Sequence, residues 1–413
     1  MPRTHDLRTE GVNGLPGEPA VAGRKPEALL LDPEAVDADA DTAEAVQRVL
    51  AGYLRGCARD AEQIDPLFAR DVAERVRAFA LSGGKRLRAR FVWWGWRAGD
   101  GATTGPGAEA ALRLGAALEL IQACALIHDD VMDGSSLRRG SPALHVDFAD
   151  QHVRSGMRGD RAAYGRAAAI LAGDLALAWA DDLVLDIETD PVTRRRVRSL
   201  WQVMRSEMVA GQYLDMHAQA SAASSPEEAL HIACLKTALY SVERPLALGA
   251  ALAGTDARTT ERLCSAGRSV GVAFQLRDDL LGVFGDPAVT GKPSGEDIRN
   301  GKLTYLAAMA RTLAEKAGDV RSQQMLERAV GDPELSEDDL DRLRQVLEDT
   351  GARRTAEAEI DRLMRNGQDH LLQASVPGPA YRGLSTLLGI AVGAPRRGVH
   401  PAGEPRPNGD VHE

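Results

Sequence analysis

Apolar residues return at three- and four-residue spacing through nearly the whole middle of this chain, which leaves room for little but helices. Leu112, Leu114, Ala117, Leu118 and Ile121 show the pattern within one segment, and Ala, Leu, Arg and Glu dominate throughout. Strictly alternating Val and Ile runs are missing, so no strand is expected. Gly-, Pro- and Ser-rich breaks at 82–84, 99–107, 134–142, 220–226, 254–257, 285–301 and 331–336 cut the chain into roughly ten helices. The pattern predicts one all-α domain over 41–393. Residues 1–40 and 394–413 lack periodicity and are rich in Gly, Pro and charge, so they are expected to be disordered tails. Residues 150–165 read as a polar, exposed insert. No fixed-period repeat supports a solenoid.

Composition removes several function classes. Lys plus Arg is 50 and Asp plus Glu 60, a net charge of −10, which argues against nucleic acid held by bulk charge. Aromatic residues make up 4%, too few for base-stacking platforms. Cys57, Cys124, Cys234 and Cys264 form no CxxC pair, excluding a disulfide scaffold or a cysteine-rich zinc module and fitting a reducing compartment. The most apolar stretches, 115–127 and 167–180, are interrupted by Glu119 and Asp174 and fall short of the ~18 apolar residues of a membrane span. The first residues lack the apolar core of a signal peptide. A soluble cytoplasmic protein without a transmembrane segment is expected.

Chemistry concentrates in two acidic motifs. His128-Asp129-Asp130-Val131-Met132-Asp133 ends an apolar helical run, and Asp129 and Asp133, four apart, share a helix face. Alone this could be a solvated acidic helix end. Yet Gln275-Leu276-Arg277-Asp278-Asp279-Leu280-Leu281-Gly282 follows a second apolar run about 150 residues later. Two carboxylate clusters facing each other across a bundle need a cation, and a hard oxygen-ligated cation such as Mg2+ favours polyphosphate. Basic residues punctuate the same regions: Lys85 and Arg88 beside a Gly-Gly turn, Arg138 and Arg139 after the first motif, Lys236 on a helix, and Lys292 and Lys302 after the second. Such cations suit two diphosphates. No Walker A loop or GxGxxG is present, so side chains and metal would hold the phosphates.

With Gly83-Gly84-Lys85-Arg86-Leu87-Arg88, Asp129-Asp130-Val131-Met132-Asp133, Arg138-Arg139-Gly140, Gly211-Gln212-Tyr213-Leu214-Asp215, Lys236-Thr237, Phe274-Gln275-Leu276-Arg277-Asp278-Asp279 and Gly291-Lys292 in this order, the chain resembles the trans-isoprenyl diphosphate synthases of the polyprenyl synthetase family. The resemblance covers about 41–389. It implies a helical bundle around a deep central cavity, a homodimer, three Mg2+ ions per active site, and isopentenyl diphosphate and C5–C15 allylic diphosphates as substrates. It assigns Lys85, Arg88, Gln122 and Arg139 to isopentenyl diphosphate. Arg138, Lys236, Thr237, Gln275, Lys292 and Lys302 fall to the allylic diphosphate. Asp129, Asp133 and Asp278 would ligate Mg2+, with Asp130 and Asp279 supporting; these five carboxylates and Lys236 form the catalytic set. One departure is Gly282, where many family members have Asp, which should weaken metal binding without abolishing it.

The implied reaction ionises an allylic C–O bond, adds the double bond of isopentenyl diphosphate to the cation, and gives the proton to released diphosphate. No protein base is needed, and none is evident. His128 reads as a packing residue and Cys124 as a small core residue. The growing tail should run back along the helix from Asp129, each turn of ~5.4 Å matching one isoprene unit. Ala125 and Cys124, four and five residues before Asp129, are small where bulky aromatics in the family close the pocket at C15. The tail is therefore expected to reach Ile121 and Leu118 and stop at about C20, geranylgeranyl diphosphate. Two alternatives share part of the pattern. A class I terpene cyclase needs no second diphosphate site, and its Asn/Asp…Ser/Thr…Glu motif does not occur at 278–282; a non-catalytic partner subunit is disfavoured by intact Asp and Arg motifs. Trp93-Trp94-Gly95-Trp96 reads as core or interface packing, and Pro245 as the start or kink of a helix.

Overall fold

The protein is described by a computed structural model covering residues 37–221, 225–286 and 294–393. Helix α1 (Thr42–Ile64) is capped by Asp41, whose side chain accepts the Glu44 N–H at 3.1 Å. A short turn (Pro66–Phe68) and a π-helical segment (Ala69–Ala73) lead into α2 (Glu74–Leu81), followed by α3 (Leu87–Ala98) and α4 (Pro106–Asp133). A small hairpin, β1 (Leu137–Arg138) and β2 (Ser141–Pro142), precedes α5 (Leu144–Arg154), α6 (Arg161–Leu185), α7 (Pro191–Ala220) and α8 (Pro226–Ala233). A second π-helical segment, Cys234–Glu243, runs directly into α9 (Arg244–Leu252). Next come α10 (Ala257–Phe284), a single turn (Glu296–Arg299), α11 (Tyr305–Ala317), α12 (Val320–Ala329), α13 (Glu337–Asp349), α14 (Ala352–Gln373) and α15 (Gly378–Ala391).

The all-α class is as expected, and α4 shows why the bundle forms. It is apolar around its circumference, and such a helix must be surrounded. It is long and apolar enough to cross a membrane by length and composition, but 78% of its most apolar window is buried within the protein. Packing against α1, α3 and α6 covers it. Its mid-helix charge, Glu119, accepts from Arg86 Nη1 at 2.7 Å, and Arg86 Nη2 also donates to Gln47 Oε1 and the Ala80 carbonyl. Both partners are buried. Arg86→Leu strands a carboxylate in the core and is expected to cost about 3–5 kcal/mol of unfolding free energy, measurable by urea denaturation; a loss below ~1 kcal/mol would contradict that.

The tryptophan run packs into the core. Trp93 is fully buried, and its Nε1 donates to Asp39 Oδ1 at 2.8 Å. Between them Gly95 lets α3 meet α9, since a Cβ there would lie 2.5 Å from the Leu246 carbonyl oxygen.

Several expectations need correction. The hairpin at 137–142 is real, its strands too short to show a period. Most of the proposed N-terminal tail lies outside the described residues, but 37–40 form a turn with Ala38 buried and Asp39 holding Trp93 and Arg97; the C-terminal tail also lies outside them. The 150–165 insert is loop only at 155–160, because α5 runs to Arg154 and Asp160 caps α6 through the N–H groups of Ala162 and Ala163. Further breaks precede Pro191, where Asp190 caps α7, and follow α11 at Gly318, whose φ is +65°.

Candidate active site

Asp129, Asp130 and Asp133 close the C-terminal end of α4, where Gly134 at φ +65° terminates the helix. Asp130 is fully buried and is gripped by Arg138, whose Nε lies 2.9 and 3.1 Å from its two oxygens and whose Nη2 also donates to it. The hairpin aims that guanidinium back at the helix. Its central residues Arg139 and Gly140 have φ of +53° and +75°, the positive values that a tight two-residue hairpin turn demands. The same turn sends Arg139 Nη1 to the Gly83 carbonyl at 3.1 Å and Ser82 Oγ at 3.3 Å. The Gly-Gly loop and the hairpin thus meet through one arginine.

The π-helical segment Cys234–Glu243 supplies the opposite wall. Such wide turns often occur at functional sites; Pro245, which has no N–H to return to the preceding turn, follows this one. Lys236 Nζ lies 2.6 Å from Asp215 Oδ2 and 3.4 Å from Asp129 Oδ1. Thr237 Oγ1 donates to Gln275 Oε1 at 2.6 Å, and Gln275 Nε2 donates to Asp279 Oδ1 at 2.8 Å. Lys302 Nζ reaches Asp133 at 2.7 Å and Asp297 at 3.6 Å. Arg88 stacks 4.3 Å from the Tyr240 ring centroid and donates to Ser241 Oγ at 2.7 Å, while its Nε is buried without a hydrogen-bond partner among the described residues. Tyr240 in turn donates to Gln122 Oε1 at 3.0 Å.

Most of the sequence-predicted residues converge. Asp129, Asp278, Asp279, Arg88, Arg138, Lys236, Thr237, Gln275 and Lys302 line one cavity of about 260 Å3. Asp130 and Asp133 border it through Arg138 and Lys302, and Gln122 is linked to it through Tyr240 and then Arg88. Arg139 stands at the loop, and Lys85 is exposed without a hydrogen bond or ion pair among the described residues. Lys292 lies outside the described residues.

The charges hold one another in place. Burial pushes the Asp129 carboxyl up, but Lys236, Lys302 and Arg138 outweigh it and keep the group below the usual carboxylate range. Burial likewise lowers Lys236 and Lys302, and the surrounding aspartates raise both above an ordinary lysine. Asp279 is different: burial pushes it up to about 8 against its bond from Gln275, and the charges of Asp297, Asp278 and Asp215 add to the rise.

Among the described residues no three His, Cys, Asp or Glu side chains gather closely enough to hold a metal ion unaided. The carboxylates instead sit on separate helices around a shared cavity beside Lys and Arg. That donor set fits a hard cation of the Mg2+ type, which takes one or two carboxylates and completes its shell with water and phosphate oxygens.

A larger cavity, about 1060 Å3, opens from the other side of Asp129. Cys124, Ala125, His128 and Met132 of α4 line it with Leu177 of α6 and Met208, Val209 and Tyr213 of α7. Asp129 lines both cavities. The expected floor differs: Ile121 and Leu118 are fully buried in the core and do not line this cavity. His128 Nε2 lies 3.1 Å from the Ile170 carbonyl, and its Nδ1 lies 3.7 Å from Cys124 Sγ. Burial, aided by Asp174, pushes the Cys124 thiol up to about 12.

Sequence reasoning assigned no role to Asp297, Ser241 or Tyr240 and quoted Asp215 and Gln212 only within a family segment. Gln212 Nε2 donates to Asp129 Oδ1 at 3.1 Å, so the three-residue spacing of Gln212 to Asp215 on α7 was the available signal for that pair.

Comparison with known proteins agrees with this architecture. The polyprenyl synthetase family profile matches residues 70–347. The geranylfarnesyl diphosphate synthase of Aeropyrum pernix is 32% identical over 311 residues, 74% of this chain and 89% of that protein. The (2E,6E)-farnesyl diphosphate synthase of Mycobacterium bovis is 31% identical over 74% of this chain and 78% of its own. A crystal structure of geranylgeranyl pyrophosphate synthase from Corynebacterium glutamicum, complexed with isoprenyl diphosphate and magnesium, superposes with a TM-score of 0.81 at 37% identity, covering 87% of this chain and 99% of that one. The chain therefore belongs to the polyprenyl synthetase family.

Proposed function

We propose that this trans-prenyltransferase joins isopentenyl diphosphate to an allylic diphosphate of C5 to C15 and releases geranylgeranyl diphosphate, C20. One observation carries the reading: Asp129 stands between a cavity of facing carboxylates and cations and a cavity walled by apolar side chains. A molecule with a diphosphate head and a hydrocarbon tail fits that junction.

Arg138, Lys236 and Lys302 hold the allylic diphosphate, with Thr237 and Gln275 positioning it, and stabilise its charge as the C–O bond breaks and the electron pair leaves with diphosphate. Arg88, Arg139, Lys85 and Gln122 hold isopentenyl diphosphate so that its double bond faces the allylic carbon. The new C–C bond forms there, and the proton lost from the adduct goes to the released diphosphate. Cys124, held as a thiol, and His128, engaged with the Ile170 carbonyl, leave that proton to the leaving group. Asp129, Asp133 and Asp278 would hold Mg2+, three ions per site, which would supply further positive charge against the diphosphates.

Gly282 has a local compensation. A Cβ at Gly282 would lie 3.3 Å from Asp297 Oδ2, so Asp297 supplies a carboxylate where the second motif lacks one. Gly282→Asp is then expected to bring no gain in turnover at saturating Mg2+; a gain of about tenfold, ~1.4 kcal/mol of barrier, would contradict it.

The reading includes a homodimer. Helix α6 has no single apolar face, and its Ile170, Leu171 and Leu185 are exposed, as are Val209, Tyr213 and Met216 on α7. A second copy covering this face would bury them. Among the described residues Cys124, Cys234 and Cys264 form no disulfide, which suits the proposed cytoplasmic location.

The test is a product assay with purified protein, Mg2+, isopentenyl diphosphate and C5, C10 or C15 primers, the prenols being sized after dephosphorylation. A C20 product abolished by chelator is expected. No elongation with any primer would refute the synthase reading.

A further inference from the structure

Beyond the first apolar cavity lies a second, of about 230 Å3, between α6 and α7, walled by Val184, Leu185, Ile187 and Val197 and, on its polar side, by Thr189, Arg194 and Arg198. Gln202 and Arg205 line both cavities, so these two side chains stand at the partition. Arg205 does not stand alone. Its Nη1 pairs with Asp181 Oδ2, and the other carboxylate oxygen of Asp181 accepts the indole N–H of Trp201 at 2.7 Å. Trp201 is buried, and Arg205 Nε is enclosed without a hydrogen-bond partner among the described residues. Two helices thus place a polar bar between the two cavities.

We infer that the Asp181–Arg205–Trp201 bar is the stop that ends chain growth, an inference that rests on the proposed elongation reaction. A hydrocarbon tail entering the further cavity must push the guanidinium aside. It offers no polar atom in exchange, leaving two charges unpaired in a half-buried site. The position also matches the proposed length. Gln212 touches Asp129 at the head end, and Arg205 lies seven residues, ~10.5 Å, back along α7. That depth takes about two isoprene units beyond the reacting one at ~5.4 Å each. A C15 primer fits above the bar, whereas its C20 product does not fit again as a primer.

The test compares wild type with Asp181→Leu/Arg205→Leu, which removes both charges together. Each protein receives isopentenyl diphosphate and either a C15 or a C20 primer, and the prenols are sized by chromatography. The double variant is expected to lengthen its main product by at least one C5 unit and to raise the C20-over-C15 primer preference in kcat/KM by about tenfold or more. A folded, active variant whose product distribution and primer preference equal those of wild type overturns the bar. If the leucine pair does not fold, Asp181→Asn/Arg205→Met keeps an acceptor for Trp201 and must give the same lengthening. Wild type that elongates no primer refutes the reaction itself; wild type that elongates, beside an unaltered double variant, refutes only the stop.

Discussion

Asp129→Asn is expected to lower kcat/KM by about 10²–10³-fold while leaving the protein folded. Among the described residues the carboxylate is the one group that lines both cavities, and three side chains converge on it: Gln212 at 3.1 Å, Lys236 at 3.4 Å and Arg138 at 3.5 Å. Those cations keep it ionised against its own burial. Asparagine preserves the shape and removes the charge, so the loss falls on cation binding and on the arrangement of the two basic groups. Stability changes little, because Lys236 keeps Asp215 at 2.6 Å and Arg138 keeps its grip on Asp130. Steady-state kinetics across a Mg2+ titration, with thermal unfolding as the control, separates the two effects. Activity within about tenfold of wild type, ~1.4 kcal/mol, would remove Asp129 from the centre of the site.

What could be read from the sequence was whatever a local period records. The helices and both acidic helix ends follow from 3.6-residue repetition and from residues four apart on one face. The clustered Lys and Arg positions followed because each interrupts an apolar run. Features that depend on distant pairing were not legible. Asp181 and Arg205 sit on different helices 24 residues apart, and each alone is an ordinary charged residue on a helix. Asp297 belongs to a single turn, and its meaning depends on how close it comes to Gly282. The hairpin strands have two residues each, too few for an alternation. The π-helical widening that carries Lys236 and Thr237 leaves no periodic trace, Pro245 being its one local mark.

The floor of the tail cavity is not legible in the sequence for a related reason. Helix α4 is apolar all round, so its period cannot say which face is open. Only the packing of α6 and α7 shows that Cys124 and Ala125 face the cavity while Ile121 and Leu118 face protein.

Ala125→Phe turns that geometry into an expected result: the main product should shorten by at least one C5 unit, to C15 or less. Ala125 lines the cavity about one helical turn, ~5.4 Å, before Asp129, so an aromatic ring there occupies the space of the first isoprene units. Cavity space is already present beside the residue, so the ring enters without the overpacking that costs about 1–3 kcal/mol in a filled core. Ile121→Ala makes the opposite case. It deletes buried methyl groups at about 2–5 kcal/mol yet touches no cavity wall, so it should lower stability and leave chain length unchanged. Prenol sizing and urea denaturation on both variants divide the two roles. If instead Ile121→Ala lengthens the product while Ala125→Phe leaves it alone, the tail runs deeper along α4 than the cavity between α4, α6 and α7 allows.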